Sequence, residues 1–207
     1  MARKPLTKPR KKASQERSRA LVDTLIEATA RVLVKEGFDK ASTNRIAEKA
    51  GVSVGSLYQY FPSKEALVAA VMERHNEEIM QVVYEALAEV ATLPMEQGVR
   101  KLVAAAIKAH RVDPNLHRVL AEQVPRTGKL ENIEVANREG YALFGAYLVA
   151  HRHEFRPVDL ELATFVCVTS IEALTHTAVL RHSDSLAGPE FEALVDETTR
   201  LIVRYLQ

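Results

Sequence analysis

Hydrogen-bonding side chains are concentrated between residues 43 and 64, on the outer side of two short predicted helices. The outward positions of the second of these helices hold Val54, Gly55, Ser56, Tyr58, Gln59 and Tyr60. Hydroxyl groups bind phosphate oxygens, an amide can pair with the edge of a base, and small residues allow close approach of the backbone. These residue types therefore favour contacts with nucleic acid.

The elements that would position these side chains are predicted from the local pattern. Residues 42–51 begin with small polar residues and end in glycine, which predicts a helix of about eight residues. Ser53 then predicts the N-cap of a second helix, on which Leu57 and Phe61 recur at helical spacing. Two short helices joined by such a turn form a helix-turn-helix, whose second helix can enter the major groove. A generic glycine turn would explain the apolar positions but not the polar outer face.

Residues 18–68 resemble, without a gap, the DNA-binding signature of the tetracycline-repressor (TetR) family, through ASTNRIAEKA followed by GVSVGSLYQYFPSKEAL. The resemblance implies phosphate contacts from Thr43, Ser56, Tyr58, Tyr60 and Lys64. It implies base contacts from Asn44, Val54, Gly55 and Gln59. Tyr60 stands where the family often has histidine, and Val54 where a longer polar side chain can occur. The resemblance therefore implies the binding mode and not the operator sequence.

Composition indicates a folded protein with an uneven charge distribution. The chain has 207 residues, of which 47% are hydrophobic, and one cysteine, which cannot form an internal disulfide. Residues 1–19 carry +7 within a total of +1, and residues 20–65 balance, so the remainder carries −6. This asymmetry suits a polyanion bound at the N-terminal end. We see no signal peptide and no apolar run close to membrane-spanning length, and we expect a cytoplasmic protein without membrane contact.

The chain is predicted to be all-α, with a three-helix helix-turn-helix head and a C-terminal helical bundle for ligand binding and dimerisation. Residues 1–17 are predicted to be a mobile basic arm, residues 18–62 the DNA-binding domain, and residues 63–207 the regulatory and dimerisation domain. Within the last, residues 63–91 are predicted to form a connecting helix. The arm could follow a DNA groove, act as a solubilising tail or be an artefact of the assigned start.

Proline and glycine divide the remaining chain into predicted helices at 94–111, 114–123, 128–153, 158–182 and 189–206. The helix at 158–182 is apolar on more than one face, which predicts that one face packs on its own subunit and another on a partner. The resemblance implies that the last two helices pair in a homodimer. The predicted dimer contacts are Phe165, Thr169, His176, Leu180, Val195 and Ile202.

A small-molecule site is predicted in the C-terminal half, because the head alone would suffice for DNA binding. Its candidate residues are His110, Tyr141, Phe144 and Tyr147, a mixture of aromatic surface and few polar groups that is typical of ligand pockets. These rings could equally fill a core, and the resemblance favours the pocket. The region has no arginine cluster for phosphate, so the expected ligand is apolar or aromatic.

Enzymatic chemistry is not expected, and neither a cofactor nor a metal is predicted. Cys167 and His176 fall on opposite sides of one helix, so they cannot form a nucleophile–base pair. Glu172 and His176 share a face but are too few for a metal site, and a buried pair is predicted instead. An architectural nucleoid protein would carry positive charge throughout, whereas most of this chain is acidic. This class of protein is therefore not expected either.

The sequence therefore predicts a regulator that binds a near-palindromic double-stranded operator as a homodimer. It is predicted to be a repressor that a small molecule releases from DNA. The alternative is a ligand-independent or activating regulator.

Overall fold

The computed structural model describes residues 16–125, 131–182, 186 and 188–207. Within these ranges the chain forms nine α-helices and no strand, which confirms the predicted all-α fold. The helices are α1 (Glu16–Lys40), α2 (Thr43–Ala50), α3 (Val54–Tyr60), α4 (Lys64–Val90), α5 (Met95–His110), α6 (Pro114–Glu122), α7 (Glu131–Ala150), α8 (Leu160–His182) and α9 (Pro189–Leu206), with a 3-10 turn at Arg152–Glu154. The predicted basic arm lies outside the described residues except at its last two positions.

The described chain divides into two compact units. The N-terminal unit contains residues 16–75 and 115–125, and the C-terminal unit contains residues 76–114 and the described residues from 132 to 207. The chain leaves the N-terminal unit within α4 and returns to it at the start of α6. Nearly all of α6 therefore folds with the helix-turn-helix, although it lies within the stretch predicted to be regulatory. The functional division at residue 62 stays a prediction.

The core of the N-terminal unit is built from five helices. It contains Leu25 and Leu33 of α1, Ile46 of α2, and Leu57 and Phe61 at α3, all of them essentially inaccessible to solvent. The first turns of α4 and the apolar face of α6 complete it, through Leu67, Val71, Leu116, Val119 and Leu120. The position of α3 is therefore set by helices that precede it in the sequence and by helices that follow it.

Gly37 interrupts α1, although helical structure resumes for a last turn that ends at Lys40. Gly37 adopts φ 79 and ψ 169, which is outside the helical region and is readily reached by glycine. The corner between α1 and α2 therefore begins three residues earlier than the end of α1. Ala41 at this corner is buried and donates its N–H to the carbonyls of Gly37 and Phe38.

The C-terminal unit packs α5 against α8 and α9. Its buried core includes Val99, Val103 and Ile107 of α5, Phe144, Tyr147 and Leu148 of α7, Cys167 of α8, and Val195 and Ile202 of α9. The segment Leu160–Arg181 of α8 is long and apolar enough to cross a membrane, by length and composition alone, and about one third of its most apolar part is buried. The expectation that no apolar run approaches that length is wrong for α8. The core helix of a soluble protein can be equally long and apolar, so these two properties alone do not identify a membrane span.

Replacement of Gly51 by alanine is expected to destabilise the protein. Gly51 adopts φ 69, where an added Cβ costs about 1–2 kcal/mol although no atom lies within 4 Å of it. Gly55→Ala is the matched control because Gly55 lies inside α3, where alanine is favoured by about 0.5–1 kcal/mol. Urea titrations followed by circular dichroism measure both. Equal losses from the two substitutions would contradict the role given to the Gly51 backbone.

Candidate nucleic-acid interface

The turn between α2 and α3 is fixed by a serine cap and a glycine. Ser42 caps α2 by accepting the N–H of Arg45 at 3.3 Å. Gly51 ends α2 in the left-handed conformation, and its N–H is directed at the carbonyls of Ala47 and Glu48. The predicted helix start and stop are confirmed. The sharp reversal lets α3 follow after three residues.

The short helix α3 is held by a cap at its start and by core contacts along its inner face. Ser53 Oγ accepts the N–H of Ser56 at 3.0 Å and lies 2.8 Å from Ser56 Oγ. Leu57 and Phe61 are fully buried, which is worth about 1.5–3 kcal/mol for each side chain. A helix of seven residues is marginal on its own, so these contacts determine its orientation.

Four of the predicted DNA-contacting residues are exposed: Asn44, Gly55, Tyr58 and Gln59. Tyr58 is 40% exposed, and its hydroxyl lies 3.1 Å from Thr43 Oγ1. One hydroxyl donates to the other, which leaves the pair one further proton to donate and acceptor capacity besides. The Gln59 amide can donate and accept in one plane, which matches the major-groove edge of adenine. The structure therefore brings Thr43 and Tyr58 together and leaves Gln59 accessible.

Three predicted contact residues are engaged within the protein. Tyr60 is 6% exposed and belongs to the buried core of the unit, so its predicted outward position is wrong. Its hydroxyl donates to Ser18 Oγ at 3.2 Å. Val54 is half-buried against the same core, and Lys64 donates to the backbone carbonyl of Phe38 at 2.9 Å. The DNA contacts of these three residues stay predictions.

Arg45 on the surface of α2 is paired with two carboxylates. Its guanidinium donates to Glu36 at 2.9 Å and to Glu48 at 2.9 Å. These hydrogen bonds, with Glu36 first, raise the pKa of Arg45 above its ordinary value. The exposed pairs are screened by solvent and contribute little to stability. The two ion pairs join the Arg45 side chain to Glu36 of α1 and Glu48 of α2. They reduce the positive charge that Arg45 presents to DNA.

Ser18 contacts a predicted site residue, and Gln123 contacts Phe38, the residue that also accepts from Lys64. Ser18 accepts from Tyr60, and Gln123 Oε1 accepts the backbone N–H of Phe38 at 3.1 Å. The separations are 42 and 85 residues. A polar contact over such a distance leaves no periodic signal, so one sequence could not have revealed it.

The four predicted ligand residues all lie in the C-terminal unit. Phe144 and Tyr147 are buried, with ring centroids 6.0 Å apart. Tyr141 shares a 2.8 Å hydrogen bond with Thr169, and the ring of His110 meets that of His176 edge to face at 5.3 Å.

Tyr147 is the most constrained of the four. Burial first, and then the charge of Glu154, raise the pKa of Tyr147 to about 12. Its hydroxyl lies where a side chain on Gly98 would have to stand. The structure therefore gives Tyr147 a packing role, and ligand binding by the four residues stays a prediction.

The predicted dimer residues divide into two groups. Phe165 is 56% exposed, and Thr169, His176 and Leu180 are half-buried. In contrast, Val195 is 0% and Ile202 1% exposed, so their prediction as interface residues is wrong. The apolar stripe of α9 packs on its own subunit. An apolar stripe in a sequence does not show whether it packs within its own subunit or against a partner. The surface of α8 remains available to a partner.

Cys167 is poorly suited to nucleophilic chemistry. It is fully buried, and burial raises the pKa of its thiol to about 12, so almost no thiolate forms near neutral pH. Glu172 is exposed, so the predicted buried Glu172–His176 pair is wrong in its burial.

A capped pair of short helices that exposes hydroxyl and amide groups is the geometry of helix-turn-helix DNA-binding proteins. Residues 25–71 match the family described as "Bacterial regulatory proteins, tetR family". Residues 94–206, more than half of the chain, match the domain family described as "Tetracyclin repressor-like, C-terminal domain". The chain therefore belongs to the TetR family of bacterial regulatory proteins, which confirms the resemblance.

Two bacterial proteins are similar to this chain over about half of its length. Nucleoid occlusion factor SlmA of Haemophilus ducreyi is 28% identical over 116 residues, which are 56% of this chain and 55% of SlmA. The HTH-type transcriptional activator FasR of Mycolicibacterium smegmatis is 35% identical over 98 residues, which are 47% of this chain and 44% of FasR. The chain thus spans about half the length of these relatives.

Solved structures match over nearly the whole chain. The fatty acid degradation regulator FadR from Bacillus halodurans has a TM-score of 0.70 at 20% identity, over 96% of this chain and 99% of FadR. FadR from Bacillus subtilis in complex with stearoyl-CoA has a TM-score of 0.68 at 18% identity, over 89% and 99%. At these identities the similarity establishes the fold.

Proposed function

We propose that this protein is a cytoplasmic transcriptional regulator that binds a near-palindromic operator as a homodimer and is released by a small apolar ligand. The observation that carries the proposal is the outer face of α3, where Tyr58 and Gln59 are exposed while Leu57 anchors the helix in the core. A helix held in this way presents polar groups at a fixed spacing, as major-groove recognition requires. The membership in a family of regulatory proteins supports the same conclusion.

The proposed DNA contacts fall into two types. Gln59, with Gly55 and Asn44, meets bases, whereas the hydroxyl pair of Thr43 and Tyr58 meets phosphates. Ser56 offers a hydroxyl and a backbone N–H near the start of α3, although both already contact Ser53 Oγ. Phosphate contacts from Lys64 and Tyr60 would require these side chains to leave their partners within the unit.

Gln59→Ala and Tyr58→Phe are expected to weaken DNA binding in different ways. Loss of the Gln59 amide should relax the preference at one base pair, at a cost of about 1–3 kcal/mol of discrimination. Tyr58→Phe removes a hydroxyl that carries no base information, so it should weaken binding to all sequences alike. The measurement is selection of bound fragments from random DNA, followed by titration of the selected and scrambled sites. An unchanged base preference in Gln59→Ala would exclude Gln59 as a base-reading residue.

The proposed homodimer is supported by the uncovered apolar surface of α8. Leu162 and Phe165 are both 56% exposed, on a helix whose most apolar part is only one-third buried. Burial of such residues against a second copy is favourable by about 25 cal/mol for each Å² of apolar surface. A two-fold dimer would place two copies of α3 at half-sites about 34–36 Å apart.

Phe165→Glu is expected to dissociate the dimer and to abolish operator binding at the same protein concentration. A carboxylate at this position would lose its hydration on burial without a partner. Val112→Glu is the control, because Val112 is 46% exposed and lies outside α8. Analytical ultracentrifugation measures both variants. A monomeric wild-type protein at micromolar concentration would refute the dimer, and a dimeric Phe165→Glu variant would exclude this face of α8.

The proposed ligand binds in the C-terminal unit, near the aromatic residues of α7. Phe144 and Tyr147 supply apolar surface, and Tyr141 with Thr169 supplies a pair of hydroxyls. FadR from Bacillus subtilis was solved in complex with stearoyl-CoA, which supports an acyl chain as the first ligand class to test. Binding of such a chain would require the rings to repack.

Stearoyl-CoA is expected to raise the thermal unfolding temperature and to weaken operator binding at least tenfold. A ligand at one hundred times its Kd stabilises the protein by about 2.7 kcal/mol, which thermal-shift measurements resolve. Coenzyme A without an acyl chain is the control. Stabilisation with unchanged operator affinity would contradict ligand-controlled release, and absence of any shift would exclude stearoyl-CoA as the ligand.

An activating regulator is a second candidate, because FasR is named a transcriptional activator. DNA binding and ligand binding do not distinguish the two. Transcription in vitro from a template that contains the selected site does, since a repressor lowers the transcript yield and an activator raises it.

A further inference from the structure

Both backbone polar groups of Phe38 are held by side chains from other helices. The Phe38 N–H donates to Gln123 Oε1 at 3.1 Å. Its carbonyl accepts from Lys64 Nζ at 2.9 Å, and the same ammonium lies 4.0 Å from the centroid of the Phe38 ring. We call this group of Phe38, Lys64 and Gln123 the Phe38 clamp.

Gly37 makes the contact with Gln123 possible. The backbone leaves helical geometry at Gly37, with φ 79, so the next N–H departs from the regular helical ladder and needs another acceptor. A Cβ at Gly37 would lie 2.7 Å from Gln123 Oε1, closer than such atoms approach. The corner between α1 and α2 therefore leaves room for the side chain of the residue that follows α6.

The two clamping residues lie at the start of the helix through which the chain leaves the N-terminal unit and just beyond the end of the helix with which it returns. Lys64 is the first residue of α4, which continues past the boundary of the unit at residue 75. Gln123 directly follows α6, which begins where the chain returns to the unit. A displacement of either helix would change the hold on Phe38.

We propose that the Phe38 clamp positions the helix-turn-helix, and that it is the contact through which α4 and α6 alter DNA affinity. This inference rests on the proposed function. Phe38 is three residues before the buried Ala41 and four before Ser42, which caps α2. Release of the corner frees α2 to rotate, and α3 follows because only three residues separate the helices. Lys64 is then a positioning residue whose charge is used on Phe38, and not a phosphate contact.

Substitution of Gln123 tests the clamp directly. Gln123→Met keeps the length of the side chain and removes the acceptor, whereas Gln123→Glu keeps an oxygen that can accept from Phe38. Gln123 is exposed, so neither change affects the core. Gln97→Met, at an exposed glutamine of α5, is the matched control.

Hydrogen exchange of the full-length protein is expected to show faster exchange at the Phe38 amide in Gln123→Met and near wild-type exchange in Gln123→Glu and Gln97→Met. Affinity for the selected operator should fall at least tenfold in Gln123→Met and recover in Gln123→Glu. Wild-type operator affinity in Gln123→Met would overturn the proposal, and so would unchanged exchange at Phe38.

The salt dependence of DNA binding separates the clamp from a phosphate contact at Lys64. Lys64→Met is expected to weaken operator binding with an unchanged slope of log affinity against log salt. A phosphate contact would instead lower that slope by about one unit for each subunit, which would overturn the role given to Lys64. If the wild-type protein selected no DNA sequence, the proposed function would fail, while the exchange measurement would still report on the clamp.

Discussion

The N-terminal unit depends on the burial of one face of a seven-residue helix. A helix as short as α3 gains too few backbone hydrogen bonds to offset the cost of its nucleation, so its existence and direction come from packing. Leu57 and Phe61 provide this packing, and Ser53 satisfies the amide of Ser56 at its start. The recognition surface is therefore a consequence of what lies beneath it. A displacement of a helix that lines this core would change the support beneath the outer face.

The same constraint explains why α6 folds with the helix-turn-helix. The long helix α1, the two short helices α2 and α3 and the first turns of α4 would leave apolar surface uncovered, and small cores are marginal. Leu116, Val119 and Leu120 of α6 extend that core. Because α6 lies far along the chain from α3, the DNA-binding unit is closed by a segment that comes after the chain has passed through the other unit.

Local features of the sequence predicted the helix-turn-helix well, because caps and turns are determined by neighbouring residues. Ser53 and Gly51 each specify a backbone geometry within a few positions. The prediction failed for Tyr60, since an amphipathic tyrosine at the end of a helix can face either way and its partner Ser18 is remote. It failed for Val195 and Ile202, because an apolar stripe indicates burial but not whether the cover is the same chain or a second copy.

Control of DNA binding by a ligand requires an element that differs between two states of the protein. A ligand shifts an equilibrium only by its difference in affinity for the two states, and about 5.5 kcal/mol is needed to convert 1:99 into 99:1. A release of tenfold to a hundredfold in operator affinity needs roughly 1.4–2.8 kcal/mol, which is the scale of one or two hydrogen bonds that involve a charged group. The Lys64–Phe38 bond has a charged donor and is of this kind, whereas the Gln123–Phe38 bond is neutral and contributes about 0.5–1.5 kcal/mol. Regulation therefore does not require a refolded head, because the loss of two side-chain contacts at the corner between α1 and α2 is large enough.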